Sequence, residues 1–157
     1  MKRLAEKYPF NVYGAYVYIV GAAHEGKVNC MTAAWVMKAS FNPPLVTVSI
    51  SPQRYTYELI ARSGYFSLNI LAEGQEDIAR HFGFRSGRDT DKLQGIAWHK
   101  GEKTGAPILD DVSAWVECRV IKSIEVGDHI LFVGEIINSR MKGEFTPLLY
   151  RRKDYYG

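Results

Sequence analysis

The stretch Ser51-Pro52-Gln53-Arg54-Tyr55-Thr56 closes a β-branched run and opens a segment with helical spacing. A strand that feeds directly into a helix N-terminus exposes backbone N–H groups and a partial positive charge. Ser51, Arg54 and Thr56 add side-chain donors, so the ingredients of a phosphate cradle are present. The same residues also permit a plainer arrangement, with Thr56 capping its helix and Arg54 solvated, and Glu58 one turn further disfavours an anion. Asp89-Thr90-Asp91-Lys92 reads either as a solvated charge run or as a loop whose Lys92 closes over a phosphate. In Gly127-Asp128-His129 a tight turn accounts for Gly127 at positive φ and a capping Asp128. His129 is left over at a strand start, where its imidazole would project toward a rim pocket and bind a ligand or act near neutral pH. Asn29, Thr32 and Trp35 interrupt an otherwise apolar strand and need hydrogen-bond partners if they point inward. Asn29 equally suits a turn end, and Trp35 a core.

The elements that must position these groups are mostly strands. Segments 13–22, 28–37, 45–51, 65–71, 112–124 and 129–138 are rich in β-branched and aromatic residues and bounded by Gly, Pro, Asp or Asn. In 112–124, Trp115, Glu117 and Arg119 alternate with Val116, Cys118 and Val120, which predicts one wet face and one packed face in an antiparallel sheet. Two short helices are expected, one from an N-cap at Thr56 to a stop at Gly64, the other over 75–84 with Ile78, Ala79 and Phe82 on one face. Many strands and few helices predict a barrel rather than a doubly wound sheet. Residues 85–105, polar and glycine-rich, are expected as a surface excursion.

Composition narrows the function classes. At 157 residues, 46% hydrophobic and 24% charged, the chain is expected to form a single globular domain over residues 1–157. A net charge of +3 without a basic helix or interleaved aromatics argues against nucleic acid, but suits an anionic small ligand. Cys30 and Cys118 are not at metal-ligand spacing, so neither a disulfide scaffold nor a metal site is expected. No G-x-G-x-x-G follows a strand, and neither a P-loop nor a nucleophile elbow occurs. No leader or membrane-length apolar run stands out, so a cytoplasmic protein that does not engage membranes is the expectation.

Taken in order, Asn29-Cys30-Met31-Thr32-Ala33-Ala34-Trp35, Phe41-Asn42-Pro43-Pro44 with the strand VTVSIS after it, Arg54-Tyr55-Thr56, Ser63 to Asn69, Ser86 to Lys92 and Gly127-Asp128-His129 resemble the flavin reductase-like family. Within it the chain is most similar in style to flavoredoxins and to NADH-dependent flavin or ferric reductases. The resemblance implies a mainly β fold, an antiparallel FMN-binding split β-barrel of Greek-key type with a few short helices. It implies FMN, with FAD as an alternative, along Asn29, Cys30, Met31, Thr32, Trp35 and Ser49, and its phosphate held by Ser51, Arg54, Thr56 and Lys92. His129 would position the nicotinamide of NADH or NADPH. A homodimer is implied, with free flavin, ferric iron or a redox protein as electron acceptor, and the C-terminal run with Tyr150, Tyr155 and Tyr156 would cover the flavin or the partner subunit. Alternatives are an electron carrier that never meets NAD(P)H, a non-catalytic FMN-binding module, and a pyridoxamine-phosphate-oxidase-like enzyme.

Overall fold

Strands β-branched on both faces need cover on both faces, and the chain supplies it with two cores on either side of one sheet. The computed structural model describes residues 15–151 and 153–156. Eleven strands run in chain order β1 (Ala15–Tyr16), β2 (Tyr18–His24), β3 (Lys27–Ala33), β4 (Val36–Ser40), β5 (Leu45–Ile50), β6 (Tyr65–Ile70), β7 (Trp98–Lys100), β8 (Pro107–Leu109), β9 (Ala114–Val126), β10 (His129–Met141) and β11 (Leu149–Tyr150). Three helices complete the described elements: α1 (Tyr55–Ser63), α2 (Glu76–Gly83) and the short α3 (Lys153–Tyr156).

Seven strands form one antiparallel sheet in the order β3-β2-β6-β9-β10-β5-β4. Its two edge strands, β3 and β4, are consecutive in the chain. The expected strand over 28–37 is therefore two strands, because Ala34 and Trp35 leave the extended ladder and carry the chain from one edge to the other. Three Cα steps separate Ala33 from Val36, so the edges lie within about 11 Å of each other at this point. The sheet must curl to allow it, and the Ser49 N–H, which donates to the Trp35 carbonyl at 3.0 Å, extends the β4–β5 pairing up to the crossing.

The first core, inside the curl, gathers Val20, Ala22, Met31, Val48, Ile50, Phe66, Leu68 and Phe132 against Leu59 and Ile60 of α1. The second lies outside β2 and β3, where Val17, Ile19 and Cys30 meet Ala79 and Phe82 of α2 and Leu93, Leu109 and Leu148. Period-2 alternation places Cys30 in one core and Met31 in the other.

This second layer corrects the wet face expected for 112–124. Trp115 packs on the outer core and Glu117 is fully buried, because the 101–105 loop folds over the outer face of β9; Arg119 alone of the three is exposed. Glu117 accepts from the Lys103 and Thr104 N–H groups, from the Thr104 hydroxyl and from the Asn138 amide, a full set of donors for a buried carboxylate. The polar 85–105 stretch is likewise no simple excursion: it contains β7 and buries Lys92 and Leu93.

Candidate functional site

Thr56 does not cap α1. The N-cap is Arg54, with extended backbone (φ −75°, ψ 138°) and no side-chain cap bond, so the helix begins with donors that no side chain covers. Thr56 stands one turn position inside, fully buried, and its hydroxyl accepts from the Asn29 side-chain amide at 2.9 Å. Gly64 ends the helix as expected, at φ 79° with its N–H on the Ile60 carbonyl. Asn29 is thus no turn residue but a buried tie between β3 and the start of α1.

Over Asn29 lies the 86–92 loop. Gly87 packs so closely that a Cβ there would overlap the Asn29 amide, which is why the position requires glycine. A cleft of about 370 Å³ opens beside them, lined by Lys27, Asn29, Tyr55, Gly87, Arg88 and Asp91 among others. At the loop's end Lys92 is 4% exposed, and its ammonium donates to the Phe82 carbonyl at 3.0 Å. No carboxylate pairs with it among the described residues. Burial holds its pKa down at about 8; the Cys30 thiol beside it acts the other way, and the Arg54 guanidinium adds repulsion. Cys30 itself is pushed up to about 12 by burial, against the pull of Lys92, and is no nucleophile. His81 on α2 contacts the Lys92 carbonyl through Nε2 at 2.7 Å, fixing the backbone from which the lysine projects.

A second group forms where the sheet edges meet. Trp35 is 63% exposed, and its ring centroid lies 4.7 Å from that of His129 at the start of β10. His129 Nδ1 is 2.7 Å from the Asp128 carboxylate, whose pKa is lowered by that hydrogen bond and by the imidazole's charge. An ionised Asp128 only accepts, so Nδ1 is the donor in this pair. Gly127 takes φ 60° in the turn before it, as its place in the sequence requires.

The structure therefore brings Asn29 to Thr56 and Trp35 to Ser49 and His129, and puts Arg54 within electrostatic range of Lys92. It does not converge the rest. Met31 lies in the inner core, Thr32 donates its hydroxyl to the Ala79 carbonyl at 2.6 Å, and the Ser51 hydroxyl accepts from the Gln53 N–H at 3.3 Å. Trp35 is exposed and His129 partly buried beside it, and neither lines the cavity of about 240 Å³ between α1 and the β9–β10 hairpin. Tyr155 packs on Tyr150 (ring centroids 5.2 Å apart) and near Phe84, against this chain's own outer core; the Tyr156 side chain lies outside the described residues. Residues that sequence reasoning left out of the site are Gly87, Arg88 and His81. The Ser86-Gly87-Arg88 run was the available signal for the first two; nothing in the sequence pointed to His81. Among the described residues no cluster of three metal-ligating side chains occurs, and no helix is long and apolar enough to cross a membrane.

Comparison with known proteins identifies the family. The family described as flavin reductase like domain matches residues 10–157. A probable flavin reductase of Rhizobium meliloti is 32% identical over 94% of this chain and 46% of its own length. Among solved structures, an FMN-binding protein of Thermus thermophilus superimposes with a TM-score of 0.87 at 32% identity, covering 96% of this chain and 89% of that one. An NADH:FAD oxidoreductase of Streptomyces globisporus gives 0.87 at 27% identity, with 95% and 89% covered. The chain spans about half the length of the first curated relatives it matches, 48% and 46%. With a domain match over nearly all of its length and a shared mainly β architecture, the chain belongs to the flavin reductase-like family.

Proposed function

We propose that the protein is an FMN-dependent oxidoreductase on a split β-barrel, accepting a hydride from NADH or NADPH and passing electrons to free flavin, ferric iron or a redox protein. The observation that carries this is Lys92, a buried ammonium that no carboxylate pairs with among the described residues, within electrostatic range of Arg54 at the uncapped start of α1. A buried cation without a counter-ion is costly unless an anion completes it, and a helix N-terminus favours the same charge. Four residues along β3 from Asn29, about 13 Å at strand rise, the chain reaches Ala33, and two more through the crossing bring it to Trp35 and its exposed ring. That span suits a long ligand with a flat apolar end and an anionic end, which FMN is and which FAD also contains.

When bound, the flavin supplies the two-electron chemistry. The chain's part is position. Lys92 and Arg54 hold the phosphate, with Ser51 and the first N–H groups of α1 as further donors, and Trp35 flanks the ring. His129, oriented by Asp128, would hydrogen-bond the nicotinamide carboxamide and so position the hydride donor. A second copy of the chain would cover the apolar edge beside the ring: Trp35, Met37 and Phe41, at 63%, 66% and 84% exposure, expose more than a monomer ordinarily shows. Sedimentation as a single 17.8 kDa species would remove that copy.

Anaerobic mixing of the FMN-loaded protein with NADH tests the reaction. Loss of flavin absorbance near about 450 nm, the oxidised-flavin band, is expected. An unchanged spectrum, with reduction only by a redox protein, would make the chain an electron carrier. The His129→Ala variant is expected to raise KM for NAD(P)H about tenfold with FMN still bound, the loss of roughly one hydrogen bond; unchanged steady-state kinetics would remove His129 from the donor site.

A further inference from the structure

Glu58 sits in the first turn of α1, where its charge opposes any anion bound at the helix start. The structure answers it with Arg88. One guanidinium nitrogen meets the Glu58 carboxylate, another donates to the Gln53 carbonyl at 2.8 Å, and the group lies over the Tyr55 ring, 5.5 Å from its centroid. Gln53 belongs to the turn between Ser51 and Arg54, whereas Arg88 belongs to the loop that ends at Lys92. One side chain therefore spans the two segments that carry the phosphate-holding groups. Gly87, next to it, is pressed onto Asn29, which holds Thr56.

We propose that Arg88 is a positioning residue for the flavin phosphate: it clamps the 86–92 loop to the 51–54 turn and masks the Glu58 charge at the start of α1. Its donors face protein acceptors, so it acts through Glu58 and Gln53 rather than as a phosphate ligand. The inference rests on the cofactor reading above and adds the device that keeps Lys92 and Arg54 at a fixed separation.

FMN and riboflavin differ only in the phosphate, so their affinities for the apoprotein separate the phosphate contribution from that of the ring. In Arg88→Met, the FMN dissociation constant is expected to rise about tenfold, and that of riboflavin to stay within about twofold. Adding Glu58→Gln should recover most of the loss, because the unmasked charge is gone; Arg88→Lys should fall between, keeping the charge without the fork. Hydrogen exchange of residues 84–92 in the flavin-free protein should quicken in Arg88→Met. An unchanged FMN-to-riboflavin ratio in Arg88→Met overturns the proposal, and so does a loss that Glu58→Gln leaves in place. Equal affinity of the wild-type protein for FMN and riboflavin would instead refute the phosphate site; loop exchange then judges the clamp alone, and unchanged exchange overturns it.

Discussion

Lys92→Met is expected to weaken FMN binding by about 10- to 100-fold while making the flavin-free protein more stable, and the opposite signs are the test. A charge-assisted hydrogen bond to phosphate is worth about 1.5–3 kcal/mol, and each 1.4 kcal/mol is about a decade in affinity. Without the anion the same ammonium is a burden. Its pKa falls from 10.5 to about 8 in the folded chain, which costs about 3 kcal/mol at neutral pH. Methionine keeps the apolar stem and removes the charge. It also leaves the Phe82 carbonyl without its ammonium donor, so the net gain is about 2 kcal/mol, or roughly 4–8 °C in Tm.

The pH dependence follows with a definite sign. Below about pH 8 both folded and unfolded chains hold the Lys92 proton, and the cost of burying the charge is fully present. Between about 8 and 10.5 the unfolded chain binds more protons, so the stability of the flavin-free protein rises through that window. FMN affinity runs the other way, falling by up to about tenfold per pH unit above 8 as the cation is lost, until the pKa of the bound state is reached. Both trends should vanish in Lys92→Met. A variant that binds FMN like the wild type would show that the buried lysine is structural.

How much of this was legible beforehand depends on whether a residue's role is set locally or across the fold. Gly64 and Gly127 act through their own backbone angles, and the sequence around them predicts both. The apolar run over 28–37 carries no mark of the break at Ala34–Trp35, because the break is where the chain crosses between the two edges of the sheet, a long-range event that leaves strand propensity unchanged. Thr56 fits the local rule for an N-cap, yet tertiary contact with Asn29 claims its hydroxyl and leaves the helix start open. Lys92 lies in a charge run that reads as solvated until α2 and the outer core are seen to surround it. The family resemblance supplied what local rules lacked, since it bound together motifs from separate loops; Arg88 lies within one of those motifs but, acting through other residues, was given no role by it, and His81 stayed outside them.

Glu117→Ala is expected to cost about 3–5 kcal/mol, lowering Tm by roughly 6–20 °C, with FMN affinity within about twofold of the wild type. The carboxylate is fully buried, and every neighbour at its oxygens is a donor: the Thr104 hydroxyl at 2.6 Å, the Thr104 N–H at 3.0 Å and the Lys103 N–H at 3.2 Å on Oε1, and the Asn138 amide at 2.7 Å on Oε2. Alanine leaves these donors unpaired in a site whose 101–105 loop comes too close to the outer face of β9 to tolerate a side chain at Gly101. Glu117→Gln should lose less. Its amide oxygen can keep the Thr104 and Lys103 donors, while its NH₂ group meets the Asn138 amide, which must flip and give up its bond from the Ser139 N–H. The ordering Ala below Gln below wild type therefore reports the donor set, whereas a simple loss of packing would make Gln neutral. Flavin titration of the same variants tests whether the cofactor site depends on this cluster: none of the hydrogen bonds of Glu117 involves Lys92 or Trp35, so an FMN affinity that fell in step with Tm would show that the 101–105 loop and the cofactor site unfold together.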